Sequence, residues 1–181
     1  MTKQRWHAKI LFASKQYCAE QYGGKVRSAM RHLQGERRSG VEKDCGGWIS
    51  VVFHKLRKRV NADVQSMGLT GIQSRVIHCL LVKRAEGPVY QRDVERTFGI
   101  SRSTVTGMLQ QMEKDGLIRR ESVASDARLK SLVPTQKAVH LDAQVEKSLQ
   151  LAEQCLTRGL SGAQLAAFKE AAAQMAANLD N

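Results

Sequence analysis

Residues 101–120 read SRSTVTGMLQQMEKDGLIRR, a hydroxyl-rich start that becomes an apolar repeat and ends in a glycine and two arginines. Ser101 is a good N-cap, because a serine hydroxyl accepts from an N–H of the first helical turn. Val105, Met108, Leu109 and Met112 recur at i, i+3, i+4 and i+7, which buries one side of a helix. Gly116 supplies the left-handed C-terminal position, and Leu117 just beyond it can close the end with an apolar contact. Such a helix runs about 14 residues, or roughly 21 Å. Its other face carries Arg102, Ser103, Thr106, Gly107, Gln110 and Lys114. These are donors and acceptors of little bulk, able to approach base edges and phosphates in a major groove. A solvated polar face has the same composition, so the flanking sequence has to decide.

Upstream, QRDVERTF (91–98) fits a short helix through Val94 and Phe98 that Gly99 breaks, with FGIS (98–101) as the connection. Helix, short break and second helix make a helix-turn-helix order. Downstream, LIRRE (117–121) and LKSLV (129–133) are strand-like runs flanking the polar SVASDAR (122–128). That predicts a hairpin with basic roots at Arg119, Arg120 and Lys130, and so a winged reading head.

Further out, Thr70 with Gln73 forms a capping box for a helix whose inner face is Val76, Ile77, Leu80 and Leu81; Gly87 and Pro88 end that unit. From Trp48, the residues Ile49, Val52, Phe53, Leu56, Val60 and Val64 line one side of a long helix, with Lys55, Lys58 and Arg59 opposite. Thr135 can cap a helix with Ala138, Leu141, Val145, Leu149, Ala152 and Leu156 on one side. Ser161 and Gln164 form another capping box, followed by Leu165, Phe168, Ala172, Met175 and Leu179. Both stripes are narrow and regular, as expected for helices that pack on partners.

At 181 residues the chain can bury a real core, as one compact domain with appendages. Its formal charge of +12 favours polyanions, nucleic acid first and an anionic membrane surface second. Residues 1–40 hold nine Lys or Arg against Glu20 and Glu36, so more than half the excess lies there. That stretch has patchy apolar spacing and several glycines, and predicts a basic extension with at most one or two weak helices. No apolar run approaches the roughly 18 residues of a membrane span, and no signal peptide pattern is seen, so a cytoplasmic protein is expected. Cys18, Cys45, Cys79 and Cys155 show no close pairing and read as reduced thiols. His54, His78, Cys79 and His140 fall on different predicted helices without metal-ligand spacing, so neither metal nor cofactor is expected. P-loop, HExxH, GxSxG and dinucleotide-binding glycine patterns are absent, which argues against an enzyme.

From Ile49 to Leu179 the sequence resembles the MarR family of winged-helix transcription regulators. The likeness rests on GLT (68–70) opening the second helix, on FGISRSTVTGMLQQMEKDGLIRR (98–120), on the wing pattern D-x-R at Asp126, Ala127 and Arg128, and on helices flanking the reading head. The resemblance implies a mainly α fold with a small β-hairpin wing. It divides the chain into an extension, 1–40, and a MarR-like domain, 41–181, with the reading head at about 70–134 and dimerisation helices at about 46–66 and 135–180. It implies an obligate homodimer that binds a pseudo-palindromic operator in double-stranded DNA as a repressor or activator. Arg102, Ser103, Thr104 and Thr106 would lie at or near bases and phosphates, with Gln110, Arg120 and Lys130 on the same DNA-facing surface. Arg128 would reach the minor groove, where narrow width concentrates negative potential, and Asp126 would orient the wing. A local ion pair on a solvated loop is the alternative for Asp126 and Arg128. The sequence departs from the family in having Ala127 where a second wing cation is frequent, PTQKA (134–138) for the usual Leu-Thr-x-x-Gly, and Tyr90 where a capping Ser or Thr is common.

Many relatives take phenolic or other small amphipathic ligands between the dimer helices and the reading head. By position, Trp48, His54, Arg57 and His78 are the candidates to face such a crevice, with packing or solvated surface as their alternative role. Cys45 lies near the place where some relatives sense peroxide, but Gly71 and Ser74 stand where the accompanying tyrosines would be. A binder without sequence preference, relying on the basic extension, is the competing functional reading.

Overall fold

The computed structural model of the chain describes residues 44–123 and 126–180, with the backbone alone for 126–128. The expectations for residues 1–40, for Cys18, and for the side chains of Asp126 and Arg128 lie outside what is described.

Among the described residues six α-helices and one hairpin follow in the predicted order: α1 Cys45–Ser66, α2 Gly71–Lys83, α3 Gln91–Phe98, α4 Arg102–Lys114, β1 Ile118–Val123, β2 Asp126–Pro134, α5 Gln136–Thr157 and α6 Gly162–Leu179. A 3-10 turn, Arg84–Glu86, prolongs α2 to Gly87. Local chemistry sets most boundaries. Thr70 and Gln73 exchange both capping bonds at the head of α2, and Ser161 and Gln164 do the same for α6. Asp44 caps α1 by accepting from Gly47 N–H at 2.6 Å. Tyr90 caps α3 differently from Ser or Thr: its own N–H donates to Asp93 Oδ2 at 2.9 Å, while its ring lies 5.4 Å from the Arg92 guanidinium carbon.

The core sits in the reading head. Val76, Ile77 and Leu80 of α2, Val94 and Phe98 of α3, Val105, Leu109 and Met112 of α4, Leu117, Ile118 of β1 and Leu132 of β2 form one buried cluster, with Leu81 and Met108 packed at its edge. Val64, Ala138 and Val145 bring the end of α1 and the first half of α5 onto it. The strands pair antiparallel from Ile118↔Pro134 to Ser122↔Lys130, with an irregularity between Ser122 and Val123. Leu132 N–H also donates to Val89 O at 2.8 Å, so the segment before α3 adds one backbone bond to the wing.

The last two helices and the start of the first are less covered than their stripes would allow. No residue of α6 is buried. Ile49, Val52 and Phe53 of α1, Leu151 and Leu156 of α5, and Phe168, Met175 and Leu179 of α6 are all exposed, Phe168 at 64%. Among the described residues these apolar faces stay largely exposed. Among the described residues no helix is long and apolar enough to cross a membrane.

Candidate nucleic-acid interface

The reading element begins where α3 stops. Gly99 adopts φ 62°, a left-handed turn that a side chain would resist, and Ile100 N–H bonds back to Glu95 O. Two residues later Ser101 starts α4, its hydroxyl accepting from Thr104 N–H at 3.4 Å and lying 2.9 Å from the Thr104 hydroxyl.

At 100° per residue, Ser103, Gly107, Gln110 and Lys114 fall opposite the buried Val105, Leu109 and Met112. All four are exposed. Arg102 and Thr104 are exposed too, one on each flank of the first turn. Because the inner face of α4 is fully buried, this outer face is held in a fixed aspect. The C-terminal end is equally fixed: Leu117 N–H donates to Met112 O at 2.8 Å and Gly116 N–H to Glu113 O at 3.0 Å, with Gly116 at φ 68°. These are the two bonds of a Schellman motif.

The start of α5 is tied to that same end. The Thr135 hydroxyl donates to Gly116 O at 2.7 Å, with Leu117 O at 3.2 Å, and accepts from Ala138 N–H as the N-cap of α5. Thr135 N–H donates to Leu117 O, and Lys137 Nζ to Asp115 O at 2.8 Å.

The other expected DNA contacts are placed unevenly. Thr106 is half-buried on the α3 side, its hydroxyl donating to Arg102 O and accepting from Gln91 Nε2, both at 2.8 Å. Gln91 was not singled out from the sequence, where only its helical position was legible. Arg120 is not an open wing cation: its Nε lies 3.3 Å from Glu113 Oε2 of α4, as an ion pair rather than an aligned hydrogen bond. Arg119 pairs with Glu121 at the exposed surface. Lys130 is exposed on β2 and its Nζ donates to Ser122 Oγ across the hairpin at 2.5 Å. Asp126 and Arg128 are in β2, near the hairpin turn.

The four ligand-crevice candidates fall in two places. Trp48, His54 and Arg57 are on α1, with Trp48 and His54 exposed; the Arg57 guanidinium carbon lies 5.7 Å from the Phe53 ring centre, and the His54 ring lies 5.9 Å from it. His78 projects from α2 to α5, where Nδ1 meets Asp142. The Asp142 hydrogen bond raises the His78 pKa; burial opposes this, and the charges of Asp142 and Glu146 add to it. Cys45 is exposed at the head of α1 and Cys79 is buried in α2.

The sequence profile of the MarR family matches residues 67–129, which span α2 to the wing. No curated protein matches the chain in sequence. Among solved structures, MepR, a transcription regulator of the Staphylococcus aureus multidrug efflux pump MepA, is similar at 19% identity and a TM-score of 0.70, over 76% of this chain and 99% of that one. A MepR variant from S. aureus bound to an oligodeoxyribonucleotide is similar at 20% identity and a TM-score of 0.63, over 76% of this chain and 99% of that one. The transcription regulator MarR from Oenococcus oeni is similar at 28% identity and a TM-score of 0.51, over 73% of this chain and 98% of that one.

Proposed function

We propose, from the premise that this chain is a MarR-family winged helix-turn-helix protein through residues 67–129, that it is a dimeric, sequence-specific DNA-binding transcription regulator. The observation that carries this reading is the outer face of α4. Ser103, Gly107, Gln110 and Lys114 are small or polar and exposed on a helix whose inner face is locked into the core. A major groove admits such a helix and presents each base pair with its own donor and acceptor pattern. Lys130, and Arg128 at the minor groove with Asp126 orienting the wing, would flank the helix on the DNA backbone side. The oligonucleotide-bound MepR variant supports this reading.

The dimer half of the proposal rests on the exposed apolar stripes of α1, α5 and α6. Apolar surface left in water costs about 25 cal/mol per Å², and among the described residues three helices expose such faces. A second copy supplies matching ones. Within the same proposal the protein is a repressor released by a small amphipathic or phenolic ligand, taken up beside Trp48, His54 and Arg57. One S. aureus MepR structure, 20% identical to this chain, is of the protein bound to ethidium bromide.

A second reading, binding without sequence preference, is favoured by the charge of +12 and its concentration in residues 1–40. Selection of duplexes from a random pool with the full chain, followed by footprinting, separates the two. The expected result is a two-fold-symmetric site with half-sites about 10 bp apart or a near multiple. Specific affinity should survive deletion of residues 1–40. Salt-sensitive binding with no sequence preference would sink the proposal.

A further inference from the structure

We infer that Thr106 meets DNA through its methyl group and not its hydroxyl, and that Gln91 of α3 fixes it so, making Thr106 a reader of thymine. The inference rests on the DNA-reading role proposed for α4.

A threonine hydroxyl has one hydrogen to give and two lone pairs to receive with. In Thr106 the hydrogen goes to Arg102 O, one turn back in α4, at 2.8 Å. One lone pair is taken by Gln91 Nε2, also at 2.8 Å. The remaining Gln91 amide hydrogen is claimed by Glu95 Oε1 at 2.9 Å. The direction of these bonds is forced. A glutamate carboxylate only accepts, and the Thr106 oxygen has no second hydrogen, so both must face the amide nitrogen and not its oxygen. The hydroxyl therefore has no hydrogen left for a base acceptor.

What remains is one lone pair, which could only accept from a base amino group, and the γ-methyl. Beside it, Gly107 leaves open space, since a Cβ there would meet nothing within 4 Å. Thymine is the base that carries a methyl group in the major groove, and a threonine methyl is one of its ordinary contacts. The Gln91 and Glu95 pair thus turns a residue that looks like a hydrogen-bonding reader into an apolar one.

The test uses the full chain and the duplex obtained by selection. Each operator thymine is replaced in turn by deoxyuridine, which removes only the methyl, in both half-sites. One position should weaken wild-type binding by about fourfold per half-site, the value of one buried carbon. Thr106→Val, which keeps a methyl and loses the hydroxyl, should retain that discrimination; Thr106→Ser, which does the reverse, should bind both duplexes alike. If wild type ignores deoxyuridine at every position, or Thr106→Ser discriminates as well as wild type, the inference fails while sequence-specific binding stands. Loss of discrimination in Thr106→Val at an unchanged melting temperature overturns it too. Failure to select any duplex overturns the DNA-reading role and the inference together.

Discussion

His78 Nδ1 lies 3.2 Å from Oδ1 and 3.3 Å from Oδ2 of Asp142, so side chains of α2 and α5, 64 residues apart, meet at the join between the reading head and the long C-terminal helices. Both are largely buried. The hydrogen bond to Asp142 raises the histidine pKa, burial opposes the shift, and the Asp142 and Glu146 charges add to it. A raised folded-state value means the protonated form is favoured by folding. The contribution is therefore complete below the ordinary histidine value and fades as pH rises through the folded one. His78→Gln should cost more at about pH 5.5 than at about pH 8.5, read by denaturant unfolding of both proteins. An equal cost at both values would rule out a raised His78 pKa in the folded protein.

Gly116→Ala isolates backbone strain. Its φ is 68° and a Cβ there would touch nothing within 4 Å, so the substitution meets no steric neighbour. The cost should be the left-handed penalty alone, about 1 to 2 kcal/mol. Thermal melting measures it, and a cost near zero would mean that the end of α4 relaxes out of its Schellman geometry.

Much of this was legible in advance because it is local. Capping by Thr70, Ser101, Thr135 and Ser161, the turn at Gly116 and the hairpin from Ile118 each depend on residues within a few positions of one another. The core stripe of α4 was legible for the same reason, since helical period alone turns Val105, Leu109 and Met112 inward. Side-chain partners across elements were not. Thr106 reads as a hydroxyl donor and Arg120 as a wing cation until packing brings Gln91 and Glu113 to them, and residue type does not reveal that a group is already satisfied. The stripe of α1 was legible as apolar, but not that Ile49, Val52 and Phe53 would stay exposed among the described residues.

If a second copy covers those faces, a charge placed on one of them should split the assembly. Phe168 is 64% exposed and belongs to no core among the described residues, so Phe168→Glu should leave the monomer fold intact. Sedimentation should shift from dimer to monomer at micromolar concentration, with the helical circular dichroism signal largely kept. An unchanged sedimentation coefficient would place the seam elsewhere.

Arg102 sits at the first position of α4, about 100° round the helix from Ser103 and away from the centre of the outer face. That flank points to a phosphate rather than a base. Arg102→Ala should weaken binding evenly across operator variants and flatten the slope of log affinity against log salt by about 0.9 per protomer. Relaxed specificity at a single base pair, with the slope unchanged, would make it a base reader instead.

The Thr135 hydroxyl has a mechanical meaning beyond its hydrogen bonds. One oxygen atom both caps α5 and holds the carbonyl at the end of α4, so the two helices share a pivot. From that pivot α4 extends about 20 Å to Ser101. If a tilt of about 10° in α5 were carried into α4 through this joint, the far end would swing by about 3.5 Å, close to the rise of one base pair. A movement carried that way would be geared up rather than damped, and the tip that swings furthest carries Ser101, Arg102 and Ser103, the end proposed to meet DNA.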